Sequence, residues 1–132
     1  MRIETFRRRL LRIHATLLLL AALGSAVATT VGRTTGDGPF GFMHQDPLVW
    51  VGLIQAYLLM TIIAVLLALG SREQNPRKWN VVGALAHVPP LIAALFSLHA
   101  FAPLGVSTIV WIPISFHLLF LLLETFAALY PT

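Results

Sequence analysis

The sequence contains no cysteine among its 132 residues, and only 11% of its residues are charged, whereas soluble domains carry about 25%. The missing cysteines exclude disulfides, thiolate metal ligands and a thiol nucleophile. The scarcity of charge, together with a hydrophobic fraction of 58%, excludes an ordinary soluble domain. These features indicate an integral membrane protein, which has the lipid bilayer as a partner.

The usual motifs of enzymes are also missing. The chain has no P-loop, no dinucleotide-binding glycine motif, no nucleophile elbow and no HExxH pair. The formal net charge is +4, but the basic residues flank apolar segments and do not alternate with aromatic residues. We therefore expect no nucleic-acid partner, and nothing in the sequence supports an enzymatic activity.

Four apolar segments remain, and they occupy about residues 10–31, 48–70, 80–101 and 108–130. Each has roughly the 20 residues that a helix needs to cross the hydrocarbon of a bilayer. Short connections join neighbouring segments, so residues 1–132 form one integral membrane domain. The predicted fold is all-α, an antiparallel four-helix transmembrane bundle.

The distribution of basic residues predicts the orientation. Five arginines lie in residues 1–14, and three basic residues lie in residues 71–80 between the second and third segments. The other side has only Arg33, which Asp37 and Asp46 offset. By the positive-inside rule both termini are cytoplasmic, in a multi-pass protein of the bacterial inner membrane.

The N-terminal region allows a second interpretation. A basic start, the apolar run 15–31 and the small residues at 25–28 resemble a secretory signal peptide, and residues 6–12 loosely resemble a twin-arginine signal. Three further apolar segments follow, so we expect this segment to remain as the first helix.

Four histidines and one carboxylate lie inside the apolar segments, and four of these residues are the candidate site: His14, His87, His117 and Glu124. A carboxylate in hydrocarbon needs a partner, so we expect Glu124 to meet Arg12, His14 or His87. One interpretation is a proton-relay or quinone-type site, in which His87 and Glu124 exchange protons and His117 extends the path. The other is that these side chains join the helices or face a partner subunit.

Two further features accompany this cluster. Gln55 in the second segment is expected to hydrogen-bond to a neighbouring helix, with a ligand contact as the alternative. Pro89 and Pro90 remove backbone hydrogen bonds beside His87. Such a pair marks either a broken helix at a binding site or a kink that shapes packing.

The spacing of the histidines bears on a haem or metal site. Counting about 1.5 Å per residue from the expected helix ends places His87 about 10 Å and His117 about 20 Å from the cytoplasmic edge. On the same count His99 lies about 28 Å from that edge. Axial ligands of one iron must lie at one level, so we expect neither haem nor a bound metal ion, and the sequence does not identify any other cofactor.

A resemblance to a known group rests on the central half of the chain. Gln55-Ala56-Tyr57, then LLALGSREQNP, a short basic loop and Ala86-His87 resemble a layout of uncharacterised small four-helix bacterial membrane proteins near the DoxX-like set. The resemblance implies a four-helix fold and transfers no catalytic residue.

These observations favour a non-catalytic accessory or assembly subunit of a larger membrane complex, bound to other membrane subunits or to copies of itself. The alternative is a protein that binds or transports a small molecule, namely a quinone, a lipid or a proton-coupled solute. Its site would be His87, His117 and Glu124.

Overall fold

The computed structural model describes residues 3–105 and 108–131, which form helices and loops without a β-strand. The helices are α1 (Ile3–Thr35), a 3-10 helix (Gly41–His44), α2 (Pro47–Gly70), α3 (Pro76–Phe96), the short α4 (Leu98–Phe101) and α5 (Trp111–Leu129). The four long helices are long and apolar enough to cross a membrane. The predicted all-α four-helix fold of a small multi-pass membrane protein is confirmed.

Hydrogen bonds between helix ends define the topology. Arg7 near the start of α1 donates to the backbone carbonyl of Tyr130 just after α5, and Arg8 donates to that of Ser71 after α2. At the other end, the indole of Trp50 in α2 donates to the hydroxyl of Thr30 in α1. Successive long helices therefore alternate in direction. We call the end that contains Arg7 the basic end, and the other the opposite end.

Two helices extend beyond the predicted apolar segments. α1 begins at Ile3, not near residue 10, and α3 begins at Pro76, not near residue 80. The helices continue because polar residues can complete a helix outside the hydrocarbon. Pro76 suits the first position of α3, since its missing N–H would have no acceptor within the helix.

The other end of α3 and the start of α5 also differ from the prediction. α3 ends at Phe96, not near residue 101, and α5 begins at Trp111, not near residue 108. Pro113 therefore lies in the first turn of α5, where a backbone N–H is not needed. Ala102 to Gly105 form the predicted turn, while Val106 and Ser107 lie outside the described residues.

The prolines of α3 do not interrupt it. The helix runs continuously from Pro76 to Phe96 and includes Pro89 and Pro90. The backbone beside His87 is therefore helical, and the broken-helix interpretation does not apply to it.

The packed core lies in the half of the bundle next to the basic end. Leu11 of α1 packs with Leu67 of α2, and on another face of α1 Leu10 packs with Phe120 of α5. Toward the opposite end, apolar side chains such as Phe96 are largely exposed, which suits contact with lipid. α1 is thus the central helix, in contact with both α2 and α5.

Candidate functional site

The centre of the packed half is a buried carboxylate. Glu124 of α5 is fully buried, and its Oε1 lies 2.7 Å from Nδ1 of His14 in α1. Its Oε2 accepts a hydrogen bond of 2.6 Å from Nδ2 of Asn80 in α3. One side chain therefore joins three helices, and both of its oxygens have partners, as a buried carboxylate requires.

The hydrogen bonds continue from His14 through two further rings. Nε2 of His14 lies 2.8 Å from Nε2 of His87, and Nδ1 of His87 lies 2.8 Å from Nδ1 of His117. We call the series Glu124, His14, His87 and His117 the histidine chain. His87 uses both ring nitrogens within it, so the chain is unbranched.

The two ends of the histidine chain differ in their exposure to solvent or lipid. Glu124 and His14 are fully buried, and His87 is 2% exposed, whereas His117 is only partly buried. No described residue hydrogen-bonds to Nε2 of His117. The histidine chain thus begins at a buried carboxylate in the packed half and ends at Nε2 of the partly exposed His117.

Each of the three hydrogen-bonded contacts in the histidine chain holds one proton. Two ring nitrogens at hydrogen-bond distance require one donor N–H and one acceptor lone pair. When Glu124 is ionised, Nδ1–H of His14 donates to it, so Nε2 of a neutral His14 must accept from His87. By the same rule Nδ1 of a neutral His87 accepts from His117. The tautomer of each ring is therefore set by its neighbour.

Aromatic side chains enclose the rings. The Phe120 ring stacks on His14 with centroids 4.2 Å apart, and it also lies 5.9 Å from the His87 ring. Phe116 meets His87 edge-on at 6.0 Å. These phenylalanines offer no hydrogen bonds, so the histidines have only one another and Glu124 as partners on that side.

Gly83 provides the space for the carboxylate. A Cβ atom built at this position would lie 3.0 Å from Cδ of Glu124. The missing side chain lets α3 and α5 approach closely here, since a methyl group would press against the carboxylate that Asn80 binds.

Two arginines fix the end of α5 next to Glu124. The fully buried Arg7 donates to the carbonyls of Ala127 at 2.8 Å and Tyr130 at 2.7 Å, and it pairs with Glu4. Arg77 of α3 donates to the carbonyl of Ala128 at 2.7 Å. The last carbonyls of a helix have no partner within it, and these guanidinium groups satisfy them. We call Arg7 and Arg77 the clamp. It holds the last turn of α5, which lies one turn beyond Glu124.

The sequence-predicted partners of Glu124 are only partly those found. Glu124 bonds to His14, whereas His87 is reached through His14 and does not touch the carboxylate. Nε of Arg12 lies 3.4 Å from the hydroxyl of Ser71, away from the cluster. Gln55 is exposed on α2 and hydrogen-bonds to no described residue, so the structure does not bring it to the site.

The predicted difference in height between His87 and His117 is wrong, because the two rings are in contact. The error comes from the helix ends. His87 lies eleven residues after Pro76, about 16 Å along α3, and His117 lies twelve residues before Leu129, about 18 Å along α5. The level argument against haem therefore fails, although the prediction about haem itself stays open.

The four side chains of the histidine chain pair in sequence, and they do not converge on one point as the ligands of a metal ion would. Within residues 3–105 and 108–131, no three His, Asp or Glu side chains are placed to hold one metal ion. The ring nitrogens pair in sequence, each with a different neighbour. This geometry suits proton transfer between rings.

Sequence reasoning missed Asn80, Phe116 and Arg7. Asn80 precedes His87 by seven residues and therefore lies on the same helix face, which was a usable signal once α3 was known to begin at Pro76. The role of Arg7 carried no such signal, because it depends on where α5 ends.

Comparisons with protein families, curated proteins and solved structures found no match for this chain. The resemblance to the DoxX-like set stays a prediction. Function must therefore be argued from the site.

Proposed function

We propose that this protein conducts protons along the histidine chain, a step on which the transport of a proton-coupled solute would depend. The observation that supports this most is the unbranched series of hydrogen bonds from Glu124 through His14 and His87 to His117. Packing alone would be served by isolated polar pairs. A connected series that includes both nitrogens of the middle ring has the additional property of conducting a proton.

The proton balance of the transfer is simple. In the starting state Glu124 is ionised and the three histidines are neutral, with one proton in each of the three contacts. A proton binds to Nε2 of His117, and the Nδ1 proton of that ring moves to Nδ1 of His87. The Nε2 proton of His87 then moves to Nε2 of His14, and the Nδ1 proton of His14 moves to Glu124.

The final state has one more proton than the first, and that proton neutralises the carboxylate. Every contact again holds one proton, and no ring has changed position. For a second transfer in the same direction, Glu124 must release its proton and the rings must return to their first tautomers. Net transport therefore also requires the rings to reorient inside the phenylalanine enclosure.

The surroundings of the two ends suggest the direction. His117 lies toward the opposite half, where neighbouring side chains such as Leu118 are exposed, so the proton enters the histidine chain from that side. Glu124 lies near the basic end, which we assign to the cytoplasm by the positive-inside rule. In this orientation both termini are cytoplasmic, in a bacterial inner membrane.

The test is proton flux into liposomes that contain the purified protein and an enclosed pH-sensitive dye, driven by a potassium diffusion potential. The variant H87F keeps a planar ring in the enclosure but removes both middle nitrogens. We expect wild type to acidify the liposomes faster than protein-free liposomes, and H87F to match the protein-free rate. H99A is the matched control, because His99 is exposed and outside the chain, and it should conduct as wild type does.

Helical content measured by circular dichroism identifies variants that are folded. Equal flux in folded H87F and wild type would contradict the proposal. So would wild-type flux no greater than that of protein-free liposomes.

A second candidate function is that of an accessory or assembly subunit. It is favoured by α2, which buries only Ala64, Leu67 and Gly70 among its 24 residues and leaves an apolar surface for another protein or a second copy. Mild detergent extraction followed by identification of co-purifying chains tests it. Under this candidate, variants of the exposed α2 surface lose the partner while E124Q retains it.

A further inference from the structure

A cavity of about 460 Å³ lies at the basic end, on the side of α1 that faces the end of α2. Its lining comes from two segments: Arg12, Ala15, Thr16, Ala68, Ser71 and Arg72. No residue of the histidine chain lines it, so the cavity is separate from the candidate proton path.

The cavity carries positive charge that no salt bridge among the described residues neutralises. The ion pairs among the described residues join Glu4 to Arg7 and Glu124 to His14, so neither Arg12 nor Arg72 pairs with a carboxylate there. Nε of Arg12 donates to the hydroxyl of Ser71, which leaves its terminal nitrogens available to a ligand. Two guanidinium groups at one opening favour a ligand with phosphate oxygens.

The position of Arg72 is supported from α1. Arg8 precedes Arg12 by one helical turn, and it donates to the backbone carbonyls of Ser71 at 3.1 Å and Gln74 at 3.5 Å. These bonds attach the α2–α3 loop to α1. The cavity is therefore built by tertiary contacts and does not depend on two independent surface side chains.

The inner wall of the cavity is apolar. Ala15 and Ala68 leave a shallow groove between α1 and α2, and next to it Val65 and Leu69 are half exposed on the membrane-facing surface of α2. A free phosphate ion would use only the arginines. A phospholipid would use the arginines for its head group and the groove for its acyl chains.

We infer that this cavity binds an anionic phospholipid, with its phosphate between Arg12 and Arg72 and an acyl chain along the α1–α2 groove. The basic end of the bundle is where the positive-inside rule places the cytoplasmic leaflet, which is rich in anionic lipid. The inference does not depend on proton transfer by the histidine chain.

The test measures lipid binding to delipidated protein in detergent by native mass spectrometry, with phosphatidylglycerol and phosphatidylcholine as probes. Wild type should prefer phosphatidylglycerol by about tenfold or more, since each basic residue near a membrane surface contributes a several-fold gain. R12Q/R72Q should lose this preference. R9Q removes one positive charge from an exposed side chain outside the cavity, and it should retain the preference.

A second variant, A68L, keeps both arginines and fills the groove. It should weaken phosphatidylglycerol binding while circular dichroism remains that of wild type. Equal preferences in wild type and R12Q/R72Q, equal losses in R9Q and R12Q/R72Q, or unchanged binding by A68L would each overturn the inference. Displacement of the lipid by an equal concentration of inorganic phosphate would also overturn it, because the site would then recognise phosphate alone.

Discussion

The two halves of the bundle are built from the same four helices, yet they differ in how polar groups are buried. Of the seven buried polar or charged side chains that the structure describes, Thr29 alone belongs to the opposite half, and it bonds to carbonyls of its own helix. In the half next to the basic end, Glu124, His14 and Asn80 bond across helices. Helices in lipid gain little by burying apolar surface against one another, so polar contacts and small residues determine where they pack. In this bundle such polar contacts lie in the half next to the basic end.

The largest expected effect on this difference is removal of the central carboxylate. E124A leaves Nδ1 of His14 and Nδ2 of Asn80 buried without an acceptor, and we expect a loss of about 3 kcal/mol in the free energy of unfolding. Denaturation of the protein in mixed detergent micelles, followed by circular dichroism, measures it. E73A removes a carboxylate from the exposed α2–α3 loop and should change stability by less than about 0.5 kcal/mol. Similar values for the two variants would contradict the assigned role of Glu124.

The next effect concerns the clamp on α5. R7Q removes a buried guanidinium that satisfies the carbonyls of Ala127 and Tyr130, and we expect a loss of about 2 kcal/mol in the same measurement. R9Q changes the same residue type on an exposed face and should have little effect. Faster hydrogen exchange confined to the last turn of α5 in R7Q would connect the loss to the clamp, and unchanged exchange there would count against it.

Two leucines on α2 compare buried with lipid-facing packing on one helix. Leu67 is 0% exposed and Leu59 is 60% exposed. L67A should cost about 2 kcal/mol through the cavity that it leaves, whereas L59A should cost less than about 0.5 kcal/mol. A larger loss in L59A would instead indicate that this surface is covered, as the accessory-subunit candidate requires.

The smallest effect comes from adding one methyl group. G83A places a Cβ against the Glu124 carboxylate, so we expect a loss of about 1 kcal/mol from overpacking. Gly52 on α2 has no atom near the corresponding position, and G52A should be neutral or slightly stabilising. If the two substitutions behave alike, the close approach of α3 and α5 is not maintained in the membrane.

The sequence was sufficient to predict the four helices and most of the site. Long apolar segments require helices in lipid, and ionisable residues inside them mark the polar cluster, which is how His14, His87, His117 and Glu124 were found. Composition could not locate the helix ends, because polar residues continue a helix beyond the hydrocarbon. The misplaced start of α3 separated His87 from His117 in height and left Asn80 at the boundary of the predicted helix. Gln55 shows the opposite limit, since an amide in an apolar segment can also face outward.

The central claim is that His14, His87 and His117 share protons through direct hydrogen bonds between their rings. Solid-state NMR of the protein in lipid bilayers, with ¹⁵N-labelled histidine, measures this through scalar coupling across each N–H···N bond. We predict two couplings, from Nε2 of His14 to Nε2 of His87 and from Nδ1 of His87 to Nδ1 of His117, both absent in H87F. A folded wild-type protein without either coupling would contradict the account.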